Sequence, residues 1–178
     1  MLYLKEMNLE DAKPQWDFFQ TWNDENGVEN QFYGMSFEDF VKDGIPKRIN
    51  IAQGKNLPEG YVPGTYCFLY DSDVGENQVI GFYNIRHFLN DSLFNGSGHI
   101  GYLIHPEFRK KGYGTKGLEL AIEKLKTMPD FVEEEIFLRC FKSNEASLKI
   151  MLKNGGYLHH EDDEYNFVRI KRWLTMRW

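Results

Sequence analysis

Cysteine is scarce in this chain of 178 residues, since Cys67 and Cys140 are its only two, and neither has a partner at metal-ligand spacing. A disulfide framework is therefore not expected, and a reducing compartment is the simplest setting. The first residues lack the basic-then-apolar layout of a signal peptide. No apolar run approaches the ~20 residues that span a bilayer. We therefore expect a cytoplasmic protein with no membrane partner.

An excess of positive charge is also missing. The 27 acidic residues outnumber the 21 basic ones, which gives a net charge of −6 and a pI of about 5.4. Nucleic-acid-binding domains are usually basic, so this balance predicts no nucleic-acid partner. Hydrophobic residues make up 42% of the chain and aromatic residues 16%, which is enough for a folded core.

The pattern of apolar residues changes near Gly64. Residues 1–63 are predicted to be mostly helical after a short opening strand, with a first helix over 9–22 or, because of Pro14, one that starts at Lys13. Residues 64–160 alternate strand and helix patterns, and residues 161–178 form a C-terminal strand region. This α/β order predicts a central mixed sheet with helices on its faces, in a single domain over 1–178.

A glycine-rich turn stands between a predicted strand and the strongest predicted helix. The turn reads RKKGYG over 109–114, and the helix covers 113–128. The first turn of a helix has unpaired N–H groups and a partial positive charge, a geometry that binds phosphate. Gly112 and Gly114 lack the Cβ atoms that would keep an anion away, and three cations stand beside them. The alternative is a plain turn with solvated lysines, since short glycine motifs are weak signals.

Two common phosphate motifs do not fit this turn. A P-loop needs a Lys-Ser/Thr pair after its second glycine, and the pair is missing here. The spacing from Gly112 to Gly117 matches a dinucleotide fingerprint, but it comes late in the chain and outside an evident parallel βαβ unit.

The turn resembles the Arg/Gln-x-x-Gly-x-Gly/Ala motif of the GNAT N-acetyltransferase superfamily, carried by Arg109, Gly112 and Gly114. A second segment, NEASLKIMLKNGGY, is similar to the family's motif around Asn144, Ser147, Gly155 and Gly156. The resemblance is strong over 64–160 and is greatest to a bacterial subgroup of predicted acetyltransferases. It implies a GNAT-like, mostly antiparallel, twisted mixed sheet of about seven strands with helices on both faces.

The resemblance also implies acetyl-CoA as donor and CoA as product. The pyrophosphate would lie on the amides of residues 111–115, the pantetheine beside the strand that ends at residue 105, and Asn144 against the cofactor arm. The cofactor-binding residues implied in this way are Leu103, Ile104, His105, Arg109, Lys110, Lys111, Gly112, Tyr113, Gly114, Thr115, Asn144 and Ser147.

The family's usual catalytic groups are absent at their usual positions. Met151 stands where many relatives have a tyrosine acid, and the segment GSGHIGYLIH contains no carboxylate to act as base. His99, Tyr102 and Tyr157 are the candidate catalytic residues, because acetyl transfer to an amine needs a proton acceptor and can use a proton donor. A buried, hydrogen-bonded structural role for His99 is an equal alternative.

The acceptor is expected to be a small-molecule amine or a protein amino group, with Asn84 and Arg86 as candidate substrate-binding residues. Arg86 lies on a predicted strand otherwise rich in apolar residues, where it would hold an acceptor carboxylate or pair with an acidic residue of the chain. A catalytically weak CoA-binding sensor and a nucleotide-binding protein are the alternative functions. The C-terminal segment 169–178 leaves a homodimer open.

Overall fold

The structure, a computed structural model, describes residues 1–75 and 77–172. Seven strands form two sheets in these ranges, and every paired neighbour within a sheet is antiparallel. The first sheet has the order β1-β2-β3-β4 and the second β5-β7-β6. The strands are β1 Leu2–Glu6, β2 Gly64–Asp71, β3 Gly81–Arg86, β4 Ile100–Ile104, β5 Glu135–Phe141, β6 Tyr157–Glu161 and β7 Tyr165–Lys171.

The α/β class and the expected number of strands are confirmed. The helices are α1 Ala12–Phe19, α2 Phe37–Asp39, α3 Ile45–Ala52, α4 Asp91–Phe94, α5 Tyr113–Lys126 and α6 Glu145–Lys153. A π-helical segment, Phe40–Gly44, joins α2 to α3, and a 3-10 turn, Pro106–Phe108, follows β4. No helix within the described ranges has the length and apolar character needed to cross a membrane.

The first helix shows how Pro14 sets a boundary. The Asn8 side chain accepts the Asp11 N–H at 2.8 Å, but the helix itself begins only at Ala12. Proline is tolerated in the first turn and disrupts a helix interior, so the later of the two expected starts is the better one. Ser36 caps the next helix, since its hydroxyl accepts the Asp39 N–H at 3.1 Å.

The first sheet separates two cores. On one face, an aromatic core joins α1 to the paired strand residues Phe68 and Phe82, and the Phe19 ring centroid is 5.3 Å from that of Phe82. On the other face, α5 packs its buried residues Leu118, Ala121 and Leu125 against the sheet. The helices therefore cover both faces of the sheet, as expected.

The two sheets meet at one end and diverge from there. Gly98 forms an isolated bridge with Leu138, and His99 exchanges two bonds with Phe137: its N–H donates to the Phe137 carbonyl at 2.8 Å, and its Nδ1 accepts the Phe137 N–H at 2.9 Å. Beyond this point β4 and β5 are end strands of separate sheets. One edge of β4 is therefore open, and residues 173–178, part of the segment considered for a dimer contact, lie outside the described ranges.

Candidate active site

The open edge of β4 presents a defined set of backbone groups. The His99 carbonyl and the His105 N–H both bond toward β3, at 2.8 and 2.9 Å. Bonding alternates along an antiparallel strand, so the N–H and C=O groups of Tyr102 and Ile104 point the other way, into the gap between the sheets. Leu103, which lies between them, bonds toward β3, lines the gap and is buried against the aromatic core.

This gap is a cleft of about 720 Å³. It brings together most residues that the sequence indicated as a site. Those that line it are Asn84, Arg86, Tyr102, Leu103, Ile104, Arg109, Lys110, Gly114, Asn144 and Ser147. The others expected near the cofactor, His105, Lys111, Gly112, Tyr113 and Thr115, lie beside the cleft in the turn and the first turn of α5.

The glycine-rich turn has a left-handed backbone at two positions. Lys110 has φ 63° and Gly112, the N-cap of α5, has φ 88°. A side chain at residue 112 would meet no atom within 4 Å, so the backbone conformation, and not crowding, favours glycine there. The first N–H groups of α5 have no intrahelical acceptor, which gives the anion site predicted from the sequence a physical basis.

Gly114 lies where α5 approaches α6. A Cβ at this position would lie 2.7 Å from Cδ1 of Ile150 on α6. The missing side chain therefore also allows the two helices to approach each other beside the cleft.

Arg109 connects three parts of the molecule. Its Nε donates to the Ile104 carbonyl at 2.9 Å, and its guanidinium forms an ion pair with Glu25 at 2.9 Å. Glu25 belongs to the loop that follows α1, so this pair links that loop to the glycine-rich turn, and both partners line the cleft. Lys110 also lines the cleft, and Lys111 lies over the Phe108 ring at 5.4 Å.

The first turn of α6 contacts β4 through a pair of hydroxyl groups. Asn144 caps this helix by accepting the Ser147 N–H at 3.1 Å, and the Ser147 hydroxyl lies 2.8 Å from that of Tyr102. Burial raises the pKa of the Tyr102 phenol, so this group stays protonated at neutral pH. A tyrosine hydroxyl therefore reaches α6 from the opposite wall of the cleft.

Met151 shows why no acid is found at the usual helix position. Its side chain is 1% exposed and packs in the core between α6 and the second sheet. The family position is occupied by a core residue, and Tyr102 is the hydroxyl that faces the same helix.

Two of the three candidate catalytic residues lie outside the cleft. His99 is fully buried, bonds to Phe137 as described above, and its Nε2 lies 3.5 Å from Oε2 of Glu133. Burial lowers its pKa to about 4, so it is neutral at physiological pH. The hydroxyl of Tyr157 donates to Glu135 at 2.8 Å on the exposed face of β6. His99 therefore bonds the two sheets to each other and Tyr157 lies on the surface, so Tyr102 is the candidate of the three that lines the cleft.

Sequence reasoning missed a cleft residue, Arg48 on α3. It is spaced three residues from both Ile45 and Ile51, which are buried, so the arginine falls on the buried face of the helix. That spacing was the available signal in the sequence.

Arg139 and Cys140 of β5 also line the cleft. Burial raises the pKa of the Cys140 thiol, which makes it a poor nucleophile. No cluster of three metal-binding side chains occurs in the described ranges.

Comparisons with known proteins agree on one family. A family model for the acetyltransferase (GNAT) domain matches residues 2–156. The ribosomal-protein-S5-alanine acetyltransferase from Vibrio fischeri superposes with a TM-score of 0.68 at 15% identity, over 96% of this chain and 93% of that one. No curated protein matches the sequence.

Two further similar structures are of enzymes named for other acceptors. A mutant spermidine N-acetyltransferase from Vibrio cholerae has a TM-score of 0.62 at 14% identity, over 96% of this chain and 94% of that one. An aminoglycoside acetyltransferase in complex with coenzyme A has a TM-score of 0.61 at 16% identity, over 97% and 95%. At these sequence identities the similarity shows the fold and does not identify the acceptor of this chain.

Proposed function

The chain belongs to the GNAT acetyltransferase family, and from this premise we propose that it transfers the acetyl group of acetyl-CoA to a primary amine of a small molecule or protein. The proposal rests on one observation, which is that the open edge of β4 and the N-terminus of α5 line the same cleft. An open strand edge leads directly to a helix N-terminus flanked by cations, and both line one space. A long donor with a diphosphate at one end and a thioester at the other suits this arrangement.

The diphosphate end is assigned to the glycine-rich turn. The N–H groups of residues 111–115 and the partial positive charge of α5 favour an anion at this point. Arg109 and Lys110 add two positive charges at the adjacent wall of the cleft. The acidic background of the chain makes this local cluster stand out.

The pantetheine arm is assigned to the outer edge of β4. Its amide groups need backbone partners, and the Tyr102 and Ile104 groups that face the cleft are of the right kind. The Ile104 carbonyl bonds to Arg109 in this structure, so we expect the Arg109 side chain to move when the donor binds.

The reaction we propose is direct attack of the amine nitrogen on the thioester carbon. The new N–C bond forms, the C–S bond breaks, and the electron pair of that bond leaves on the sulfur of CoA. Tyr102 donates its hydroxyl proton to that sulfur, since it is protonated, lines the cleft and faces α6. A backbone N–H on the open edge of β4 stabilises the oxyanion, and water accepts the proton of the amine and returns one to Tyr102.

A binding module without efficient turnover is the second candidate. The burial of Met151 in the core favours it, because the acid that many relatives use is missing there. Under this alternative the cleft would bind CoA but no amine would be acetylated.

The test measures binding and turnover separately. Acetyl-CoA binding is followed by calorimetry, and release of the CoA thiol is followed with a panel of primary amines. We expect binding that Arg109→Ala weakens, together with thiol release for at least one class of amine. Tight binding with no release for any amine would select the binding module, and unchanged binding by Arg109→Ala would contradict the anion site.

A further inference from the structure

The cleft is cationic although the chain is acidic. Among the described residues that line it, Arg48, Arg86, Arg109, Lys110 and Arg139 are positive, whereas Glu25 and Glu29 are negative. Arg109 and Lys110 belong to the donor end, and Glu25 is paired with Arg109. The remaining three arginines, Arg48, Arg86 and Arg139, lie close enough together for the charges of Arg48 and Arg139 to act on Arg86.

Arg48 is the most deeply buried of these cations. Its side chain is 6% exposed, its guanidinium stacks over the Tyr66 ring at 3.6 Å, and its Nε has no hydrogen-bond partner among the described residues. Stacking on an aromatic face leaves the edge of a guanidinium free to bind an anion bidentately.

Arg86 lies on β3, two residues beyond Asn84 on the same face of the strand. One of its nitrogens donates to the Gly98 carbonyl at 3.0 Å. No carboxylate of the described ranges forms an ion pair with Arg48, Arg86 or Arg139. Burial lowers the pKa of the Arg86 guanidinium and the nearby charges of Arg48 and Arg139 lower it further, whereas Tyr66 and the charge of Glu29 raise it.

Buried guanidinium groups are normally paired, because an uncompensated charge is costly to remove from water. The intramolecular partner considered for Arg86 is not found in the described ranges. An anion supplied by a ligand would compensate both arginines, and both line the cleft in which the amine must bind.

Beside the arginines there is room for a ligand and an acceptor for its N–H group. Gly101 pairs with Asn84 across β3 and β4, so their side-chain positions share one face. A Cβ at Gly101 would meet no atom within 4 Å, and Oδ1 of Asn84 has no hydrogen-bond partner among the described residues. This oxygen is buried here, and it accepts a hydrogen bond from an amine once the Asn84 side chain turns toward the cleft.

We propose that the acceptor is a small amine that carries a carboxylate, such as an amino acid, with its carboxylate on Arg48 and Arg86 and its amine on Asn84. The proposal rests on the acetyl transfer proposed above and specifies its substrate class. Polyamines and aminoglycosides are polycations, which these arginines repel, so the acceptor differs in charge from those named for the spermidine and aminoglycoside enzymes.

The first experiment compares each amino acid with its carboxamide in thiol release. The two have the same shape, and the amide has the lower amine pKa, so a greater fraction of it is neutral and ready to react. We expect the amino acid to have a kcat/KM at least roughly tenfold higher, since a charge-assisted bond to arginine contributes that much. Spermidine serves as the polycation of the panel and is expected to be a poor acceptor.

The second experiment replaces the arginines. Arg48→Gln and Arg86→Gln are each expected to remove most of the preference for the amino acid over its amide, without changing acetyl-CoA binding. Lys47→Gln is the matched control, because Lys47 is exposed on the same helix and the charge change is equal. A preference that survives in both arginine variants would overturn the proposal.

A third measurement uses only the wild-type protein, so it remains informative if an arginine variant fails to fold. Simple carboxylates such as propionate are expected to inhibit the wild-type protein competitively with the amine and not with acetyl-CoA. Equal use of amino acids and amides, without such inhibition, would overturn the substrate class while leaving acetyl transfer intact. Binding of acetyl-CoA with no thiol release for any amine would instead overturn the transfer on which the proposal rests.

Discussion

At the scale of single residues, Tyr102 is the side chain that most directly connects geometry with chemistry. Its hydroxyl faces the first turn of α6 across the cleft, and the ring stacks on Tyr83 with centroids 5.7 Å apart. The ring is therefore held in place by packing that does not depend on the hydroxyl. Removal of the oxygen alone should leave the fold unchanged.

We expect Tyr102→Phe to lower kcat by roughly 10²-fold, the lower end of what a positioned proton donor contributes, with little change in acetyl-CoA binding. Tyr157→Phe is the matched control, since that hydroxyl bonds to Glu135 on the surface. Steady-state kinetics with a single amine distinguishes the two. A Tyr102→Phe protein with unaltered kcat would show that the thiolate leaves without this donor.

His99 gives a prediction about stability. Its pKa is about 4 in the folded protein because of burial, below the ordinary value of 6.5. Proton binding therefore favours the unfolded chain. The contribution of neutral His99 to the free energy of unfolding is complete above pH 6.5 and is lost as the pH falls toward 4. The loss amounts to at most about 3 kcal/mol for a shift of this size.

His99→Asn keeps an oxygen that can accept the Phe137 N–H but does not titrate. We expect the free energy of unfolding of the wild type to fall more steeply than that of His99→Asn between pH 6.5 and 4, in urea titrations. His159→Asn, at an exposed position, should follow the wild-type curve. Parallel curves for the wild type and His99→Asn would mean that His99 is not buried in its neutral form.

At the scale of secondary-structure elements, two glycines with the same backbone conformation allow an effect on stability to be separated from an effect on donor binding. Gly112 and Gly155 both have left-handed backbones, with φ 88° and 82°, and a Cβ at either would meet no atom within 4 Å. Alanine at each position should cost about 1 kcal/mol of stability for the same reason. Gly112 caps α5 beside the cleft, whereas Gly155 follows α6 and does not line it.

Gly112→Ala is therefore expected to raise the KM for acetyl-CoA several-fold, and Gly155→Ala to leave it unchanged, although both proteins melt at a similarly lower temperature. Thermal unfolding and donor titrations of the two variants provide the comparison. A KM that rises equally in both would indicate general destabilisation and not a local effect on the anion site.

The elements that the sequence predicted well are those with local signals. The turn at Gly112 and the strong amphipathic pattern of α5 depend on neighbours within a few residues. The open edge of β4 could not be predicted in this way, because the direction of each backbone group depends on the register with β3. Arg48 was missed because its burial depends on where α3 packs, and the burial of His99 could not be predicted because it is set by the junction of the two sheets.

At the scale of the whole molecule, the sign of the charge changes between the surface and the cleft. The chain carries a net charge of −6, yet the cleft walls hold more cations than carboxylates. Acetyl-CoA is a polyanion, so it is repelled by the exterior and attracted by the cleft. Salt weakens both interactions, since the Debye length falls from about 30 Å at 0.01 M to about 8 Å at 0.15 M.

We expect the short-range attraction within the cleft to dominate, so that the KM for acetyl-CoA rises with ionic strength. Lys110→Gln should reduce the slope of that dependence, and Lys47→Gln should preserve it, because Lys110 lines the cleft and Lys47 does not. Donor titrations over a range of potassium chloride concentrations provide the measurement. A KM independent of salt would contradict an electrostatic role for the cleft cations.

The ion pair between Glu25 and Arg109 has a consequence for the order in which the two substrates bind. Arg109 bonds to the Ile104 carbonyl, to which we assigned the pantetheine arm, and its partner Glu25 belongs to the loop 25–31, whose residues also line the cleft. Entry of the donor would release Glu25 and reshape that loop before the amine arrives. We therefore expect a compulsory-order mechanism with acetyl-CoA first, in which CoA is a competitive inhibitor only against acetyl-CoA, and Glu25→Gln should shift the kinetics toward random order.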